Sequence, residues 1–164
     1  MSGFSPFSSL KDYTGCGIYG IDRLPLAELV EEEFGSDATI AHARAMVGIC
    51  YCECGGKSSP PVIGDTSLTV GPAIGPLQVT RATAKDLGLV PQDETFEAYK
   101  QRAMNEEWCL RAGVKVFASK LLSAKGDFAD AIRRYNGSGS KAVQYRDKAL
   151  SFLAEKFGSN WQSA

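Results

Sequence analysis

The segment from Ile40 to Cys54 is the part of the sequence that most constrains the fold. Its apolar residues recur at helical spacing, and the glycine pair that follows allows the chain to turn away. A lone carboxyl group, that of Glu53, lies at its end. Burial and the negative end of a helix dipole both disfavour a carboxylate, so we predict a raised pKa for Glu53 and a role as proton donor near neutral pH. From composition and periodicity alone, a structural helix-end role for Glu53 stays open.

Start and stop signals divide the rest of the chain into short helices. Capping residues, among them Asn105 and Asp127, precede most of the apolar-periodic segments, and glycine follows several of them. In the last segment we expect Val143, Leu150, Leu153 and Phe157 to face the core. Residues 57–79 have the only strand character and predict a loop with a small hairpin. The predicted helices cover residues 24–34, 38–54, 80–87, 94–104, 106–125, 128–135 and 140–157, so the expected fold class is mainly α.

Length and composition indicate one folded domain. The chain has 164 residues, of which 44% are hydrophobic, enough for one substantial core. We expect an irregular arm over residues 1–20 and a single domain over residues 21–164. The 18 basic and 19 acidic residues nearly balance, so no surface built for nucleic acid is expected. Neither a signal-peptide core nor a membrane span is visible, so we expect synthesis in the cytoplasm.

The five cysteines are Cys16, Cys50, Cys52, Cys54 and Cys109, and their odd number argues against a complete disulfide framework. The alternating cysteines Cys50, Cys52 and Cys54 could suggest a metal site, but helix geometry argues against one. Side chains two residues apart diverge on a helix, so only Cys50 and Cys54 would share a face. We interpret these cysteines as small core residues, with a partial disulfide or a metal site as alternatives. We therefore expect no cofactor.

Two further motifs follow Glu53 along the chain. The first is Gly75-Pro76-Leu77-Gln78, and the second is Tyr135-Asn136-Gly137. In this order the three motifs resemble those of the lysozyme-like lytic transglycosylases and the goose-type lysozymes, over roughly residues 36–155. Taken alone, Tyr135-Asn136-Gly137 is also a common helix stop.

The sequence departs from these families at three positions. Cys54 stands where the residue after the catalytic glutamate is usually serine, and a thiol is a poorer hydrogen-bond donor. Pro76 interrupts the Gly-Leu-Met-Gln pattern and removes one backbone donor. Thr80 replaces one of two aspartates of the goose-type lysozymes.

The resemblance implies a catalytic role for Glu53 and sugar binding by the other motifs. Glu53 would be the general acid, Gly75 and Gln78 would wall a sugar cleft, Tyr135 would bond to or orient the acid, and Asn136 would hold an N-acetyl sugar. The implied fold is lysozyme-like, with the hairpin flanking the cleft. The implied reaction is cleavage of the β-1,4 bond between N-acetylmuramic acid and N-acetylglucosamine in peptidoglycan.

Asp65 is the second catalytic candidate that the resemblance implies. If it faces the cleft, it would position water for hydrolysis with inversion. Otherwise Glu53 would act first as acid and then as base, while the 6-hydroxyl of the muramic acid closes an anhydro ring. A plain turn at Gly64-Asp65 is the structural alternative. His42, eleven residues before Glu53 on the predicted helix, is too far along it to relay a proton.

The expected partner is the glycan strand of peptidoglycan. Together with the lack of a visible signal, this suggests a bacteriophage lysis enzyme or virion-associated lysin that acts on the cell wall after release or from the virion. In a virion, the arm over residues 1–20 would contact other virion proteins. An inactive wall-glycan-binding or virion structural protein of the same fold is the alternative, and a chitin-directed glycosidase is another.

Overall fold

Helices make up most of the described chain. The structure is a computed structural model and describes residues 26–54, 73–74 and 77–163. Seven α-helices lie within these ranges, so the predicted mainly α fold is confirmed. The helices are α1 (Leu26–Phe34), α2 (Ile40–Cys54), α3 (Arg81–Asp86), α4 (Phe96–Ala103), α5 (Glu106–Ser123), α6 (Phe128–Asn136) and α7 (Ser140–Phe157). The arm predicted over residues 1–20 lies outside the described residues.

Side chains at the N-cap position fix the start of four helices. Asn105 and Asp127, both predicted as caps, accept hydrogen bonds from the backbone N–H three residues further on. Thr80 and Thr95 do the same for α3 and α4. Each such cap stabilises its helix by about 1 kcal/mol. The cap at Thr95 explains why α4 begins at Phe96 and not at the predicted residue 94.

Helix α5 lies at the centre of the packing. It contacts α1, α4, α6 and the small sheet, while α2 packs mainly against α7. Gly48 allows this close approach of α2 and α7, because a Cβ there would lie 2.9 Å from Leu153 Cδ1. None of the described helices is long and apolar enough to cross a membrane. The largest fully buried side chains include Met46, Ile49, Leu77, Tyr99, Phe117, Ile132 and Leu153.

The face of α7 that packs inward differs from the predicted one. Leu153 is buried as predicted, but Val143 is 38% exposed, and that part of the prediction was wrong. Leu150 and Phe157 are only half-buried. Alanine side chains occupy much of the inward face, because α7 packs closely on both α2 and α6 and small residues permit that approach. The remaining inward residues of α7 are Ala142, Ala149 and Phe152.

The small sheet consists of two short strands, β1 (Ala73–Ile74) and β2 (Val79–Thr80). They pair antiparallel, with Ala73 opposite Thr80 and Ile74 opposite Val79. The predicted hairpin is therefore confirmed in this part of residues 57–79, and residues 55–72 lie outside the described chain. Strand β2 contacts α3 and α5, which places the turn before it against the helical core.

Three of the five cysteines can be described. Cys50 and Cys109 are buried, and Cys52 is half-buried. The predicted core position is confirmed for Cys50. Within the described ranges, no group of three or more potential metal ligands comes together.

Candidate functional site

A pocket of about 280 Å³ opens where the end of α2 meets the turn before β2 and the end of α6. Four residues predicted for the site, Glu53, Gln78, Tyr135 and Asn136, all line it. Asp65 and Gly75, the other two predicted site residues, lie outside the described chain. We call this cavity the Glu53 pocket; its remaining lining residues are Val79, Thr80, Thr83 and Val116.

Glu53 lies where the sequence predicted, one residue before the end of α2. Its side chain is half-buried. The last turn of α2 carries no basic residue, so within that helix the carboxylate faces the negative end of the dipole without a compensating cation. The raised pKa of Glu53 stays a prediction, and the helix dipole is one cause for it.

Tyr135 closes one side of the pocket. Its hydroxyl donates a hydrogen bond to the backbone carbonyl of Leu77 at 2.7 Å. The resemblance implies that Tyr135 bonds to or orients the acid, and this role stays a prediction. Burial, followed by the charge of Glu53, raises the pKa of Tyr135 well above its usual value. Tyr135 is therefore neutral and close to Glu53, and its hydroxyl hydrogen is donated to the Leu77 carbonyl.

A second tyrosine near Glu53 was not predicted from the sequence. The hydroxyl of Tyr145, on α7, is buried and has no well-formed hydrogen bond among the described residues. Burial and then the nearby charge of Glu53 raise its pKa well above the usual value. Glu53 thus lies close to this hydroxyl and within reach of a hydrogen bond with it. The backbone carbonyl of Tyr145 accepts a weak bond from Cys52 Sγ at 3.8 Å, which ties α7 to the end of α2.

Gln78 lies in the turn before β2 with a backbone conformation that L-residues rarely adopt. Its φ is 51°, in the left-handed region, although it is not a glycine. This conformation costs an L-residue roughly 1 kcal/mol. Backbone strain of this kind persists where surrounding contacts enforce it, and it often occurs at ligand sites. The preceding residue, Leu77, is fully buried and supplies such contacts.

Thr80 lines the pocket and also has a structural role as a helix cap. Its hydroxyl accepts from the Thr83 backbone N–H at 3.2 Å and donates to the Thr83 hydroxyl at 3.0 Å. These bonds cap α3. A hydroxyl has no acidity or basicity useful near neutral pH, so Thr80 supplies neither an acid nor a base to this wall of the pocket.

Cys52 and His42 do not provide a nucleophile and base. Burial raises the pKa of Cys52 to about 11, so its thiol stays protonated. His42 lies between Phe34 and Phe128, with ring centroids 4.1 and 5.1 Å away. Its Nδ1 accepts a hydrogen bond from the Thr39 backbone N–H at 3.0 Å. These contacts hold the histidine in the core at the opposite end of α2 from Glu53.

The lining of the Glu53 pocket combines one carboxylate with amides and hydroxyls. Among the described lining residues, Glu53 is the single charged group. Gln78 and Asn136 each offer a donor and an acceptor, which suits a neutral ligand rich in hydroxyl and acetamido groups. Searches of protein-family models, curated proteins and solved structures found no match for this chain.

Proposed function

We propose that this protein cleaves the β-1,4 bond between N-acetylmuramic acid and N-acetylglucosamine in peptidoglycan, with Glu53 as the acid. One observation carries the proposal. Glu53, Gln78 and the Tyr135-Asn136 pair are far apart in sequence, yet they line a single pocket. These are the residues that the resemblance to lytic transglycosylases and goose-type lysozymes selects. Such an enzyme would serve bacterial wall lysis or phage entry.

The chemistry begins with proton transfer from Glu53 to the glycosidic oxygen. The bond from this oxygen to C1 of the muramic acid then breaks, and positive charge develops on the sugar ring. The Glu53 carboxylate next to the ring stabilises that charge. Gln78 and Asn136 would hold the sugar through its acetamido and hydroxyl groups, so that the leaving oxygen lies against the acid.

The second half of the reaction needs a base and a nucleophile. Glu53, having lost its proton, can accept the proton of the muramic 6-hydroxyl while that oxygen bonds to C1, which yields a 1,6-anhydro product. This route needs one carboxylate, and the described lining of the pocket contains one. The role of Thr80 as a helix cap supports the same route, because it leaves this wall without a base. Asp65 would supply the hydrolytic alternative.

Tyr145 is suited to stabilise Glu53 after Glu53 has released its proton. Its buried hydroxyl stays protonated and lies close to Glu53. Once Glu53 becomes a carboxylate, a small movement would give that hydroxyl a strong acceptor. A hydrogen bond to a charged group is worth about 1.5–3 kcal/mol, so Tyr145 would stabilise the carboxylate after proton release.

The test is digestion of purified peptidoglycan by wild type, Glu53→Gln and Glu155→Gln, with products identified by mass spectrometry. Glu155 is an exposed carboxylate on α7 and serves as the matched control. We expect Glu53→Gln to lower the rate by about 100-fold or more, because general acid catalysis contributes at least that much. Thermal melts should show Glu53→Gln folded, and Glu155→Gln should retain wild-type activity.

The products separate the candidate functions. Anhydro-muramic ends would support the intramolecular route, and reducing ends would support hydrolysis. Binding of glycan strands by wild type without any cleavage would make the protein a wall-binding module. Activity that survives in folded Glu53→Gln would refute the role of Glu53.

A further inference from the structure

We infer that Gly113 and Tyr99 are positioning residues that set the place of Gln78 in the Glu53 pocket. Neither residue lines that pocket. Both act on the backbone of the turn that carries Gln78, one through Leu77 and one through Val79. The catalytic consequence of this inference rests on the proposed function, whereas its structural part does not.

Gly113 makes room for the residue before Gln78. It lies in the interior of α5, where a Cβ would stand 2.2 Å from Leu77 Cδ1 and 2.7 Å from Leu77 Cβ. A change of side-chain rotamer at Leu77 could relieve the first overlap but not the second, because Cβ moves only with the backbone. Any larger residue at position 113 must therefore push the backbone of Leu77 away from α5.

Two tyrosine hydroxyls bind the backbone carbonyls on either side of Gln78. Tyr99 donates to the carbonyl of Val79, and Tyr135 donates to the carbonyl of Leu77. Tyr99 is fully buried, and burial raises its pKa above the usual value, so its hydroxyl remains a donor. The two tyrosines come from α4 and α6, so the turn is fastened from two helices and seated on a third.

These anchors explain how Gln78 keeps its left-handed conformation. Its φ of 51° is unfavourable for a residue with a side chain, so an unanchored turn would relax to a different geometry. Leu77 and Val79 are both buried, which fixes the chain immediately before and after Gln78. The side chain of Gln78 is thereby presented to the pocket at a position that α4, α5 and α6 determine together.

The kinetic test compares Gly113→Ala with Gly48→Ala in the peptidoglycan digestion assay. Gly48 is a helical glycine that also packs against a leucine, but its added Cβ would meet only the outer carbons of Leu153, at 2.9 Å or more. We expect Gly113→Ala to lower kcat/KM by about 100-fold, the scale of a 1 Å misplacement of a positioning group. Gly48→Ala should change kcat/KM by less than about threefold.

A double-mutant cycle separates positioning from a general loss of structure. In a Gln78→Ala background, Gly113→Ala should have little further effect on kcat/KM, because its effect passes through Gln78. Additive losses from the two substitutions would overturn the inference. Tyr99→Phe, which removes one hydroxyl without changing packing, supplies the same test should Gly113→Ala not fold, and its loss should also vanish in the Gln78→Ala background.

A structural measurement decides the inference even if the protein cleaves no peptidoglycan. The backbone and side-chain amide resonances of Gln78 can be compared by NMR in wild type, Gly113→Ala, Tyr99→Phe and Gly48→Ala. We expect the first two variants to shift these resonances and Gly48→Ala to leave them unchanged. Unchanged Gln78 resonances in folded Gly113→Ala would overturn the positioning role. Lack of cleavage by wild type would refute the proposed function alone.

Discussion

The two ends of helix α2 use buried polar groups in opposite ways. At the amino-terminal end, His42 is enclosed by Phe34 and Phe128 and bonded to the backbone of Thr39. At the carboxyl-terminal end, Glu53 borders an open pocket and lies close to the Tyr145 hydroxyl, which lacks a well-formed bond among the described residues. Burial of a titratable group is therefore a poor guide to function in this helix.

Arg44 is a further polar residue toward the amino-terminal end of α2. Its Nη1 donates to the backbone carbonyls of Trp161 and Ser163, at 3.1 Å each. The guanidinium carbon lies 5.0 Å from the ring centroid of Phe157, and Nε is buried without a partner in the described chain. No lining residue of the Glu53 pocket contributes to these contacts. Arg44 thus ties this end of α2 to the last described residues of the chain, and it does not line the Glu53 pocket.

The difference teaches where chemistry can be placed on a packed helix. An enzyme needs polar groups whose best partner is the reacting molecule, and such groups must border a cavity. The histidine, bonded through Nδ1 and enclosed by two aromatic rings, belongs to the packed core, whereas the tyrosine hydroxyl beside Glu53 is available for a charge that would develop in the proposed reaction.

The largest effect in this comparison is expected from Tyr145→Phe at the Glu53 end of α2. Loss of a hydrogen bond to a charged group, worth about 1.5–3 kcal/mol, should slow peptidoglycan cleavage by roughly tenfold or more. The folded protein loses no well-formed bond, so urea melts should show stability unchanged or slightly raised. Tyr51→Phe is the control. The ring of Tyr51 stacks on that of Phe152, with 4.0 Å between the ring centroids, and Tyr51 does not line the Glu53 pocket. Wild-type activity in Tyr145→Phe would remove this tyrosine from the mechanism.

A smaller, pH-dependent effect is expected at the other end. Burial lowers the pKa of His42 below its ordinary value of 6.5, against weaker opposing effects of Thr39 and Asp37. The folded state therefore binds the proton less readily than the unfolded chain. The stability that neutral His42 provides is complete above pH 6.5 and is lost as the pH falls below that value toward the lower folded pKa.

The measurement is the free energy of unfolding in urea at pH 7.5 and at pH 5 for wild type and His42→Gln. Other groups titrate in both proteins, so the difference between them isolates His42. We expect wild type to lose more stability on acidification than the variant. An equal loss in both would contradict the role assigned to burial. Initial rates of peptidoglycan cleavage by the two folded proteins should be equal at pH 7.5.

Much of the fold follows from local signals in the sequence. Asn105 and Asp127 predicted helix starts because an N-cap side chain satisfies a backbone donor within the same short segment.

The inward face of α7 could not be predicted from such local signals. Val143 is more apolar than its alanine neighbours, and only the spacing between α2, α6 and α7 determines that the smaller residues turn inward.

The candidate site could be predicted only where a motif marks it. Glu53, Gln78, Tyr135 and Asn136 stand in short recognisable patterns, and the structure brings them to one pocket. Tyr145 stands in no such pattern, because its proximity to Glu53 arises from the packing of α7 on α2. A glycine in a helix interior signals close approach. For Gly113, the approaching residue could be identified only from the tertiary structure.

The smallest expected effect concerns Asp65 and decides whether the proposed reaction uses one carboxylate or two. Inverting hydrolysis requires a base roughly 6.5–9.5 Å from the acid, whereas the intramolecular route requires none. Because Glu53 is the single carboxylate of the described lining and Thr80 caps α3, we expect Asp65→Asn to lower activity by only about threefold, less than 1 kcal/mol. Wild-type digests should contain anhydro-muramic ends.

Asp93→Asn, at an exposed position before α4, controls for loss of a surface charge. If Asp65→Asn instead loses activity several hundred-fold and wild type gives reducing ends, Asp65 is the base that activates water, and both carboxylates belong to the site.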